Sequence, residues 1–209
     1  MARPLIKICG LRRAEDVRLC ARYGVSILGF VVEYPRPVPW NLSVAEAREL
    51  LACSPVETCV VTGGTTEHVY AVAAALRPTY LQLHWEIAPT ETMHLVEALR
   101  PLGVKLIQTI FPHTPAREAR EYDRAGVHAL LLDPRTPVAA EQGGPADLAA
   151  WRTIQQAVSC PVILAGGITP ENVTDFIEAP LLDLMTGIES SPGIKDPQKV
   201  AALFVALAG

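Results

Sequence analysis

Pro4-Leu-Ile-Lys-Ile-Cys9-Gly10 reads as a short strand that stops at a turn. Leu5, Ile6 and Ile8 are apolar around Lys7, and a thiol followed by glycine closes the run. Behind it, near 14–23, comes a stretch with helical spacing. Glu15, Asp16 and Arg18 are its polar face, Val17, Leu19 and Ala21 are apolar, and Gly24 is placed to end it. The strand-then-helix unit recurs along the chain. Further strands are expected at 26–32, 57–62, 79–84, 104–110, 128–133, 161–165 and 182–186. Helices are expected after Ser43 and at about 66–76, 90–100, 115–125, 146–158, 170–178 and 196–207. Ser43 with Glu46 has the spacing of a capping box.

Strict alternation of strand and helix predicts a parallel sheet. Eight such units in 209 residues predict a closed (β/α)8 barrel, an α/β fold of the TIM-barrel type, formed as one domain over residues 1–209. An open doubly wound sheet is the competing arrangement. In a barrel, function gathers at the C-terminal strand ends and in the loops that follow them. Cys9, Arg36, His84, Asp133, Gly166, Gly167, Thr186 and Gly187 all fall there.

The composition excludes several classes. Half of the residues are hydrophobic, 19% are charged and the net charge is -4, so nothing favours nucleic acid or an anionic membrane as partner. No apolar run reaches the roughly 18 residues that would span a bilayer. The opening Met-Ala-Arg-Pro-Leu does not read as a secretory leader, so the expected location is the cytoplasm. Five cysteines, an odd number with no CxxC pair, argue against a disulfide framework or a structural zinc site.

The strand ends suggest chemistry. Ala165-Gly166-Gly167 and Thr186-Gly187 follow strands seven and eight, where barrels commonly hold phosphate on backbone N–H groups. The plainer reading is two tight turns. Asp133 closes an apolar strand, where desolvation raises a carboxyl pKa toward the range of a general acid; it is equally placed to cap its loop or pair with Arg135. Cys9 is either one more buried small residue or a thiol base facing Asp133 across a ligand. Arg36, in Glu33-Tyr-Pro-Arg-Pro, suits a substrate carboxylate but also a solvated surface. His84 is a structural hydrogen-bonder or a substrate contact.

These residues resemble the phosphoribosylanthranilate isomerase family over nearly the full length. The resemblance runs through Lys7-Ile-Cys-Gly-Leu11, Leu28-Gly-Phe-Val31, Pro35-Arg36, Leu81-Gln-Leu-His84, Leu131-Leu-Asp133, Leu164-Ala-Gly-Gly167, Gly187-Ile-Glu-Ser190 and Lys195-Asp196. It implies a tryptophan-pathway barrel that catalyses an Amadori rearrangement of N-(5'-phosphoribosyl)anthranilate. Cys9 would be the general base and Asp133 the general acid. Arg36 would hold the anthranilate carboxylate, and the glycine loops the phosphate. No cofactor or metal is implied, and the expected assembly is a monomer or homodimer. The chain departs from the family pattern at Tyr34, at Thr62-Gly63-Gly64, at Trp85, at Gln142-Gly-Gly-Pro-Ala146 and at Met185-Thr186. Those positions shape the aromatic and ribose pocket. They leave open a divergent barrel that isomerises, epimerises, cleaves or only binds another phosphorylated small molecule.

Overall fold

The computed structural model describes residues 3–135 and 144–209. Eight parallel strands close into a barrel in sequence order. They are β1 Leu5–Ile8, β2 Ile27–Val31, β3 Glu57–Thr62, β4 Tyr80–Leu83, β5 Lys105–Ile110, β6 Ala129–Leu132, β7 Val162–Ala165 and β8 Leu181–Leu184. The seam pairs the first and last of them, with Lys7 opposite Asp183. A short hairpin, β9 Glu189–Ser191 with β10 Ile194–Lys195, follows β8. Among the described residues seven α-helices surround the barrel: α1 Ala14–Arg22, α2 Val44–Ala52, α3 Thr66–Leu76, α4 Pro89–Leu99, α5 Ala116–Arg124, α6 Leu148–Gln155 and α7 Pro197–Ala206.

The helix expected near 170–178 is a 3-10 turn, Val173–Phe176. Asn172 explains it. Its side chain accepts from the Thr169 N–H at 2.8 Å and donates to the Gly167 carbonyl at 3.0 Å, which binds the segment to the loop before it. Pro180 then disfavours helical backbone in the residue before it, so little length remains. The helix expected at 146–158 runs over Leu148–Gln155, its start set by Asp147, which caps it by accepting from the Ala150 N–H at 2.9 Å. The capping box expected before α2 is present: Glu46 N–H donates to Ser43 Oγ at 3.3 Å and Ser43 N–H to Glu46 Oε2 at 2.8 Å.

Two apolar layers hold the barrel. Residues such as Ile6, Ile8, Leu28, Phe30, Leu81, Leu83, Leu130, Leu132, Leu182 and Leu184 pack outward against the helices. Ile27, Val31, Cys59, Val61, Ile107, Leu131 and Ile163 fill the interior. No described helix is long and apolar enough to cross a membrane.

Candidate active site

Alternation along each strand decides which side chains enter the barrel. Ile6 and Ile8 face the helices, so Lys7 and Cys9 face in. Leu81 and Leu83 face out, so Gln82 and His84 face in. The same parity turns Asp133 inward beyond β6, and Asp183 and Met185 inward from β8. These groups meet in a cavity of about 50 Å³ at the C-terminal strand ends, lined by Cys9, Gln82, His84, Asp133, Arg135 and Asp183 and bordered by Tyr34, Trp40 and Met185. A second cavity of about 300 Å³ adjoins it and shares Trp40, Arg135, Asp183 and Met185. Its remaining walls include Gly166, Gly167, Thr186 and Gly187. The chain thus brings together Cys9, His84 and Asp133 in one cavity and the glycine loops in the next.

The glycines of the second cavity are there for different reasons. Gly166 has φ +108, a conformation that side-chain-bearing residues rarely adopt. At Gly187 a Cβ would collide with the Ile168 carbonyl, so the two loops touch through bare backbone.

Buried charges organise the first cavity. Lys7 Nζ donates to Asp183 Oδ2 at 2.9 Å, and both side chains are buried. Burial opposes the Lys7 charge, but the Asp183 carboxylate outweighs it and holds the ammonium above the ordinary lysine range. Asp133 is held by Arg135. The guanidinium donates through Nε to Oδ1 at 3.1 Å and through Nη2 to Oδ2 at 3.0 Å, and the Arg135 backbone N–H reaches Oδ1 at 2.9 Å. Burial pushes the Asp133 pKa up, yet Arg135 outweighs it, with His84 adding to the effect, and the carboxyl lies below its usual range. The desolvation-raised carboxyl expected from sequence is therefore corrected: the residue two places on folds back and keeps it ionised. Cys9 is shifted the other way. Burial raises its thiol and exceeds the opposing field of Lys7. Only 5% of Cys9 is exposed, so the thiol is buried as well as facing Asp133. His84 is pushed down to about 4, chiefly by burial, and is neutral at pH 7.

Arg36 is not among the residues lining either cavity. It is exposed, and its guanidinium lies over the Trp85 ring at 5.6 Å. Trp85 does not line the cavities either; it packs edge-on to Tyr34 at 6.1 Å and against Gly63. Gly63 leaves Trp85 this seat away from both cavities. Trp40, from the proline-rich segment after β2, crosses the mouth and donates from Nε1 to Glu189 Oε1 at 3.0 Å. Lys195 Nζ binds the same oxygen at 2.7 Å. Gln142 and Gly143 lie outside the described residues; Gly144 and Pro145 lie beside Gly167.

Sequence reasoning had not singled out Lys7, Gln82 or Asp183 as site residues. Parity was the available signal for two of them: Lys7 lies two before Cys9, and Gln82 two before His84.

The fold and the cavities define a class, that of (β/α)8 barrel enzymes with their polar groups gathered at the C-terminal strand ends. Comparison with known proteins narrows it. Residues 6–206 match the family model described as N-(5'phosphoribosyl)anthranilate (PRA) isomerase. The N-(5'-phosphoribosyl)anthranilate isomerase of Rhodospirillum rubrum is 34% identical, with 99% of each chain covered. That of Haloferax volcanii is 32% identical, covering 97% of this chain and 92% of the relative. The crystal structure of phosphoribosyl anthranilate isomerase from Thermus thermophilus superposes with a TM-score of 0.80 at 32% identity, covering 98% of each chain. The chain belongs to the N-(5'-phosphoribosyl)anthranilate isomerase family.

Proposed function

We propose that this chain carries out its family's reaction, the isomerisation of N-(5'-phosphoribosyl)anthranilate in tryptophan biosynthesis, with Asp133 as general acid and Cys9 as general base. The observation that carries the roles is that both groups line one cavity beside the glycine-loop cavity. The second cavity takes the phosphate, on the backbone of Gly166, Gly167, Thr186 and Gly187. The ribose then lies over Cys9 and Asp133. Asp133 protonates the ring oxygen, the C1–O bond breaks, and the anthranilate nitrogen carries the resulting Schiff base. Cys9 Sγ takes the proton from C2, whose electron pair forms the enolamine. Loss of the enol O–H proton and protonation at C1 give the keto sugar. The scheme calls for no cofactor.

The resting protonation states are the reverse of those the step needs. One proton is shared by the pair, and at rest it sits on the thiol. The reactive form carries the same number of protons, with the proton on Asp133 and the charge on Cys9. The Lys7 ammonium lowers the cost of that thiolate. Asp183 Oδ1 and Gln82 Oε1 accept no hydrogen bond from described protein groups and line the same cavity, so they suit the sugar hydroxyls. Arg36, exposed and stacked over Trp85 outside both cavities, would be the group that meets the anthranilate carboxylate. Cytoplasm is the expected compartment, and all these groups come from one chain.

A direct assay tests the reading. Anthranilate fluorescence falls as the ring-opened product forms. Folded protein that turns over no N-(5'-phosphoribosyl)anthranilate would sink it.

A further inference from the structure

Arg135 belongs to both cavities at once. Its guanidinium occupies both Asp133 oxygens on one side, and it lines the glycine-loop cavity on the other. Among the described residues it is the only cationic side chain lining that second cavity, whose one acidic lining residue is Asp183. Among the described residues its third nitrogen, Nη1, meets only the Met185 sulfur, at 4.0 Å, so there that part of the fork is weakly engaged. A phosphate entering between Gly167 and Gly187 has backbone N–H groups for hydrogen bonds but, among the described residues, no other lining cation to offset its charge. Asp133, meanwhile, has both oxygens committed to this guanidinium, which leaves a general acid without its proton.

We propose that Arg135 is a positioning residue that couples the two cavities: it clamps the Asp133 carboxylate when no phosphate is bound and turns to the substrate phosphate when one arrives, freeing Asp133 to take up the proton it donates. The proposal rests on the acid role of Asp133 and adds to it the trigger for protonation. Phosphate is the stronger partner for the fork, carrying up to two charges and three acceptor oxygens against one charge and two oxygens. With the guanidinium withdrawn, Asp133 is left buried beside the Asp183 carboxylate, and its proton becomes favourable. The same movement shifts the shared proton from Cys9 toward Asp133. Binding of the nonreacting end of the substrate thus prepares the reacting end.

The titration of Asp133 depends on every charged or titratable neighbour around it. Besides Arg135 these are His84 after β4, Tyr34 in the loop after β2, Asp183 on β8, and Lys7 and Cys9 at β1. At neutral pH His84 is neutral and Lys7 remains paired with Asp183, so neither changes charge when phosphate binds; His84, at about 4, titrates close to Asp133 and is followed beside it.

The test is to follow the Asp133 side-chain carboxyl by carbon-13 NMR as a function of pH, with and without saturating inorganic phosphate, in the wild-type chain and in Arg135→Gln. In the wild type, phosphate is expected to raise the Asp133 midpoint by about 1 pH unit or more. In Arg135→Gln the midpoint starts raised, phosphate adds little to it, and phosphate binds about tenfold more weakly. Arg135→Lys, which keeps the charge without the fork, is expected to retain phosphate binding and hold Asp133 less firmly. A wild-type midpoint that ignores phosphate, or that moves equally in wild type and Arg135→Gln, overturns the proposal. The wild-type titration needs no variant to fold. It also reads no turnover, so a chain that fails to isomerise N-(5'-phosphoribosyl)anthranilate still answers the question.

Discussion

Trp85 lies so close to Gly63 that a Cβ on residue 63 would stand 2.9 Å from the indole Cε3. Two departures from the family pattern, a tryptophan after β4 and a glycine after β3, are therefore one packing arrangement. Gly63→Ala is expected to push Trp85 out of its seat and destabilise the fold by about 1–3 kcal/mol, as overpacking does. Trp85→Ala in the same chain should remove most of that cost. Urea unfolding of the two single variants and the double variant measures the coupling; strictly additive losses would show that the contact carries no energy.

Cys9→Ser and Asp133→Asn are each expected to lower kcat for N-(5'-phosphoribosyl)anthranilate by about 10²-fold or more. The Cys9→Ser melting temperature should stay near that of the wild type, since the replacement keeps size, whereas Asp133→Asn leaves the Arg135 guanidinium without its carboxylate and should melt lower. Unchanged turnover in either variant would remove that residue from the chemistry.

His84 sets an acid limit on stability. Its folded pKa is about 4 against an ordinary 6.5, so between those values the unfolded chain binds a proton that the folded chain does not. Stability is therefore fully present above about pH 6.5 and is lost as pH falls toward 4. The loss from this group amounts to roughly 2 kcal/mol at pH 5. Denaturant unfolding at pH 7 and pH 5 should show that fall in the wild type and a smaller one in His84→Gln.

Breaking the Lys7–Asp183 pair from one side is expected to cost about 3–5 kcal/mol, because a buried charge is left alone. Lys7→Met should show that loss in a urea titration. Lys7→Met with Asp183→Leu should recover much of it, although turnover should stay low. A single variant as stable as the wild type would mean the barrel interior solvates the orphaned carboxylate.

Much of this was legible in the sequence. The period of two along β1, β4 and β6 already set Cys9, His84 and Asp133 on inward positions, and a strand-to-helix unit repeated through the chain implies a barrel. What escaped depends on side chains returning from elsewhere. The field at Asp133 is set by how Arg135 folds back, not by the apolar strand before it. The state of Cys9 depends on Trp40 and Met185 covering the mouth from other loops. Arg36 was placed by spacing alone, and its seat over Trp85 depends on the room left by Gly63. The short turn at Val173–Phe176 was hidden because the Asn172 bonds compete with a helix that its composition permits.

The Lys7–Asp183 ion pair joins residues 176 positions apart in the chain. A nascent chain makes Lys7 long before Asp183. Until β8 emerges, a half-built barrel that buried β1 would enclose an ammonium with no carboxylate to meet it, at a cost of several kcal/mol. The pair thus works as a completion check on folding: barrel closure is favourable only for a chain long enough to bring its own last strand. Fragments that stop before β8 are expected to remain open, with β1 solvated, however many of the other strands they contain.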